Sequence, residues 1–112
     1  MAAGDVVITR VIPLGSGRTG SLLITGTVTL DGSNPTPITL TNYLDEVDGA
    51  VVSMDGSGAP AADPSFLTHA ISAAVINVYA WKITGVGDAT LIASTNNARL
   101  AHFVAIGPAK SR

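Results

Sequence analysis

The segment Gly15-Ser16-Gly17-Arg18-Thr19-Gly20 matches the phosphate-binding pattern G-x-G-x-x-G and follows an apolar stretch, so nucleotide binding is the first chemistry to weigh. In a nucleotide-binding unit the last glycine opens a helix, and the helix N-terminus carries the phosphate. Here Ser21 to Leu30 alternates with the period of a strand, and the Gly-Lys-Ser/Thr of a phosphate loop is missing. The segment therefore reads as a connection between β-strands.

Three carboxylates, Asp45, Glu46 and Asp48, precede Gly49 and could offer hard oxygen ligands to calcium, but their spacing does not match the calcium loop D-x-[DN]-x-[DN]-G-x₅-E. An exposed acidic turn is the simpler reading, and the same holds for the loop bracketed by Asp55 and Asp63. The two histidines, His69 and His102, have no histidine or carboxylate at a metal-ligand spacing such as H-E-x-x-H. His102 lies among apolar residues, which suits a strand histidine that is hydrogen-bonded or faces an interface. No G-x-S-x-G elbow ties a serine to either histidine, so the expectation is a non-enzyme with no catalytic residue, metal or cofactor. The aromatic inventory is Tyr43, Phe66, Tyr79, Trp81 and Phe103, expected as anchors of the core or of a subunit contact. A carbohydrate or base-stacking platform is the weaker alternative.

Those residues must be positioned by short strands. Gly and Asp-Gly steps divide the chain into segments rich in Val, Ile and Thr, expected as strands at Val6 to Ile12, Ser21 to Leu30, Ile38 to Thr41, Ala50 to Met54, Ala73 to Thr84, Ala89 to Thr95 and Leu100 to Ile106. In Ser21 to Leu30 one face carries Leu22, Ile24, Val28 and Leu30 and the other Ser21, Thr25, Thr27 and Thr29, with Gly26 marking a bulge or close packing. Pro35 and Pro37 cannot donate ladder bonds, so Ser33 to Pro37 is expected as an extended loop or a sheet edge. Asp63 as N-cap with Pro64 following could start one short helix over Asp63 to Ile71. The expected fold is all-β: a single compact sandwich or barrel of about seven short, mostly antiparallel strands over residues 1–112.

Charged residues make up only 12% of the 112 residues, against about 25% in ordinary soluble proteins, so Thr, Ser, Asn and Gly must cover much of the surface. A charge-poor surface suits an oligomer or lattice, since charged groups are depleted where interfaces form. The formal net charge is −2 and the basic residues are scattered, which excludes the footprint that nucleic acid requires. Cysteine is absent, so no disulfide or thiolate metal site forms. Met1 to Asp5 lacks the charge and apolar core of a signal peptide, and no apolar run approaches the length of a membrane span, so the expectation is a cytoplasmic product without membrane partners.

The opening MAAGDVVITRVIPLG, the stretches ITGTVTLDGSNPT and VDGAVVSM, and the closing LAHFVAIG together resemble small virion proteins of tailed bacteriophages, of the capsid decoration or cement type. The resemblance implies a compact β-domain with an extended terminal arm that bridges neighbouring major capsid subunits as a dimer or trimer. It also implies residence on the virion after assembly in the host cytoplasm. It carries no family site, and the loop from Asp55 to Pro64 departs from the pattern. The candidate arms are residues 1–5 and 107–112, which lack strand pattern; the candidate contacts to capsid or partner are Met1, Ala2, Ala3, Gly4, Asp5, Arg18, Lys110 and Arg112. A neck, tail or fibre-attachment component is the nearest rival, followed by a carbohydrate-binding sandwich, which would need an exposed aromatic platform.

Overall fold

The computed structural model describes residues 2–14, 20–55, 66–85, 88–96 and 98–110. Among them are eight strands: β1 (Val6–Leu14), β2 (Ser21–Thr29), β3 (Thr36–Thr39), β4 (Gly49–Met54), β5 (Phe66–Ser72), β6 (Val75–Gly85), β7 (Asp88–Ala93) and β8 (Leu100–Pro108). They form two sheets, one ordered β1-β2-β8-β4 and one ordered β3-β6-β5 with β7 also on β6. Every pairing is antiparallel. The fold is an all-β sandwich.

Alternation explains why the sheets close on each other. In β8, Ala101, Phe103 and Ala105 are buried while His102, Val104 and Ile106 are exposed; in β6, Ile76, Val78 and Ala80 are buried while Asn77, Tyr79 and Trp81 face outward. The two inner faces meet in one cluster with Ile24, Val28 and Ile38, and Leu30, Leu40, Leu44 and Val47 from the connecting segments plug its ends. Burying each large aliphatic or aromatic side chain contributes about 1.5–3 kcal/mol, so this cluster is the main source of stability. The buried hydroxyl of Thr36 is satisfied by Asp31 Oδ1 at 2.8 Å, and Asp31 Oδ1 also accepts from the Ser33 amide at 2.8 Å. Gly32 at φ 84° completes the Asp-Gly turn expected there.

Gly26 is both a close-packing position and the partner of a bulge. A Cβ there would collide with the Val7 carbonyl oxygen and the Phe103 ring, and the β1–β2 register shifts between Ile8 and Arg10, directly opposite. Pro37 sits exposed in β3, which lies along β6 as an edge, as its missing donor requires. Trp81 pairs with Phe66 on one side and Ala93 on the other, so β3 and β7 share one flank of β6 end to end. Between them Asn34, preceding a cis bond to Pro35, accepts the Ala80 amide on Oδ1 at 2.7 Å, while the Ala80 carbonyl accepts from Ser94 at 2.8 Å.

Two expectations are corrected. The short helix over Asp63 to Ile71 is not formed: Phe66–Ser72 is β5, paired residue for residue with Val75 to Trp81 through the Ala73-Ala74 turn. Asp63 and Pro64 lie outside the described residues. A local capping signal is worth about 1 kcal/mol, which seven cross-strand pairs outweigh. The C-terminal arm is likewise shorter than expected, because Gly107 and Pro108 belong to β8, Ala109 bridges to Leu44, and the Lys110 amide donates to Tyr43 at 2.8 Å.

Candidate functional site

Of the residues expected to contact a partner, the described ones do not converge. Ala2 to Asp5 folds into a turn against the end of β2: the Gly4 amide donates to the Thr29 carbonyl at 2.9 Å, and Thr29 donates back to Asp5 at 3.0 Å. Lys110 lies at the other end of the same sheet, beyond the Ser21–Pro108 pair, with its ammonium donating to the Thr41 carbonyl at 2.8 Å. Met1, Arg18 and Arg112 lie outside the described residues, as do Gly15 to Thr19. Gly20 leads into β2, so a strand follows that glycine motif.

The first acidic turn gathers no ligand set among the described residues, and residues 56–63 of the second acidic loop lie outside them. Asp45, Glu46 and Asp48 are exposed around a backbone that packs on β8, with the Asp48 amide donating to Ile106 at 2.8 Å. Among the described residues no group of three His, Cys, Asp or Glu side chains is placed to hold a metal ion. His69 is exposed on β5. His102 Nε2 lies 3.1 Å from Asp55 Oδ1, with the two side chains 52% and 57% exposed. Ser53 stands directly across from His102 in the β4–β8 register, yet no hydrogen bond joins it to the imidazole among the described residues. The arrangement is a solvated surface pair at the margin of a sheet.

What the sheets do present is two unlike outer faces. On the β1-β2-β8-β4 sheet the cross-strand rows run Ile12, Leu23, Ile106, Gly49, then Arg10, Thr25, Val104, Val51, then Val7, Thr27, His102, Ser53. This face carries an open apolar patch along β8 and the edge strand β4, with Val51 at 66% exposure and Val104 and Ile106 exposed, and Val7 and Ile12 are exposed on the other edge strand, β1. Because Gly49 has no side chain beside Ile106, a shallow hollow of 290 Å³ opens between Leu23, Val51, Val104 and Ile106. Arg10 and the Asp55–His102 pair stand at its margins. A contiguous exposed apolar patch flanked by polar residues is a feature of protein–protein interfaces.

The outer face of the second sheet carries the aromatics. Phe66, Trp81 and Ala93 form one row and Thr68 and Tyr79 the next. The Tyr79 and Trp81 rings are nearly parallel, at 17°, with centroids 6.4 Å apart, and Trp81 Nε1 donates to Thr68 Oγ1 at 2.9 Å. Phe103 is the aromatic that anchors the core, and Tyr43 packs half-buried against it. The sequence reading missed that the other three aromatics share a surface; the alternation of Ile76, Val78 and Ala80 with Asn77, Tyr79 and Trp81 was the available signal.

Fold and faces together define a small two-sheet β-sandwich with one apolar and one aromatic surface. No protein-family model, curated protein or solved structure matches the chain.

Proposed function

We propose that this protein is a structural subunit of the capsid decoration type, binding the outer surface of a bacteriophage head and stabilising the joints between major capsid subunits. The observation that carries the reading is the apolar patch on the outer face of β1-β2-β8-β4, with Val104 and Ile106 of β8 and Val51 of the edge strand β4 exposed side by side. Exposed apolar surface of this kind is costly to leave in water and is expected to be covered by a partner. The low charge of the chain supports the same reading, because few ions would have to be desolvated when the face docks. Each contact can be weak, since a shell repeats it by symmetry and multivalency multiplies its effect.

The partners in this reading are the major capsid protein and further copies of the chain, with no enzymatic step, and the working location is the assembled virion. A neck, tail or fibre-attachment role would use the same face and is the alternative. Electron microscopy of the intact particle tests the choice: density for the sandwich on the head lattice supports decoration, density confined to the neck or tail supports the alternative, and its absence from the particle overturns both.

A further inference from the structure

We propose that the outer face of β3-β6-β5 is a binding site for a neutral saccharide, with the Trp81 and Tyr79 rings as its platform. The inference does not depend on the decoration reading, which uses the opposite sheet. Three of the five aromatic residues in the chain lie on this one face, although a sandwich this small gains most from rings in its core. The half-buried Trp81 indole is also fixed by its bond to Thr68, and its ring stacks nearly parallel to that of Tyr79. The platform is thus oriented before any ligand arrives, which lowers the ordering cost of binding.

The rest of the face specifies the ligand's chemistry. Beyond Tyr79 the register places Asn77 beside Ala70 and Pro37, then Thr39 and Ser72 on either side of Val75. The Asn77 side-chain amide bonds to no described residue, leaving two donors and an acceptor for a ligand. Lys82 and His69 fall on the opposite parity of their strands, so the rows from Phe66-Trp81-Ala93 to Ser72-Val75-Thr39 carry no charged residue. A nucleic acid would need cations beside the rings to meet its phosphates. An apolar peptide would leave the amide and hydroxyls unmatched. A pyranose offers what the surface lacks: a face of C–H groups for the aromatic rings and a rim of hydroxyls for Asn77, Thr39 and Ser72.

Trp81 is the sole tryptophan, so its emission reports occupancy directly. The full chain is screened on an array of neutral microbial and plant oligosaccharides, and the best-bound saccharide is titrated with fluorescence and calorimetry. The expected result is a saturable shift in Trp81 emission, with affinity reduced at least tenfold by Trp81→Ala and by Tyr79→Ala and several-fold by Thr68→Val. Val104→Asp on the other sheet leaves it unchanged. Circular dichroism checks that each variant is folded, and Tyr79→Ala stands alone if Trp81→Ala does not fold. The proposal is overturned if no saccharide on the array binds, if binding survives Tyr79→Ala in the folded protein, or if a short oligothymidylate binds this face as tightly as the saccharide.

Discussion

Gly26 lies against Phe103 so closely that a Cβ at position 26 would come within 2.9 Å of the ring's Cζ. The absence of a side chain in the middle of β2 is what leaves room for the buried ring of Phe103, the largest core residue of β8. Gly26→Ala is therefore expected to destabilise by about 2 kcal/mol or more, because the Val7 carbonyl on the far side blocks relaxation of β2. Denaturant titration of the two proteins measures it.

Gly49 predicts the opposite sign. Its added Cβ would meet only Ile106 Cγ2, at 3.8 Å, an ordinary contact. Gly49→Ala should therefore stabilise by about 0.4–1 kcal/mol by restricting the unfolded chain. A melting temperature raised for Gly49→Ala and lowered for Gly26→Ala is the expected pattern.

Ala73, in the β5–β6 turn, has φ 51°, and its carbonyl accepts the Val47 amide at 2.9 Å. Asparagine tolerates this backbone and a β-branched residue does not. Ala73→Asn is expected to be neutral or stabilising and Ala73→Val to cost about 1–2 kcal/mol, again by thermal or denaturant unfolding.

Removal of Met1 to Asp5 would delete the Gly4–Thr29 and Asp5–Thr29 backbone bonds. At about 0.5–1.5 kcal/mol per bond, truncation should lower stability by about 1–3 kcal/mol while leaving the β-sheet circular dichroism signal in place. The segment thus supports its own domain, whatever it contacts outside it.

The fold was legible in the sequence where one strand sees both water and core. Ile24 and Val28 could be assigned inward from their spacing, and Gly26 from its interruption of that spacing. β5 was not legible, because Phe66–Ser72 gains its form from pairing with Val75 to Trp81 and its own residues suit a helix start nearly as well. The tail was misjudged for a related reason: Gly107 and Pro108 read as breakers, yet Gly107 fits where a Cβ would strike the Glu46 carbonyl, and Pro108 closes the strand where a missing donor costs little. The sheet order, with β8 inserted between β2 and β4, depends on contacts far apart in sequence and has no local signature. Both candidate faces follow from that order.

In the proposed function, the apolar patch of β1-β2-β8-β4 attaches this protein to a capsid. The most direct test measures binding of the full chain and of Val104→Asp to undecorated phage heads by co-sedimentation, with melting temperature recorded for both. Val104 is 41% exposed, so the substitution should leave the fold intact while placing a charge at the centre of the docking face. The expected result is saturable binding of the full chain and at least tenfold weaker binding of the variant, with nearly equal melting temperatures. Heads that ignore the full chain, or that bind the folded variant just as tightly, would contradict it.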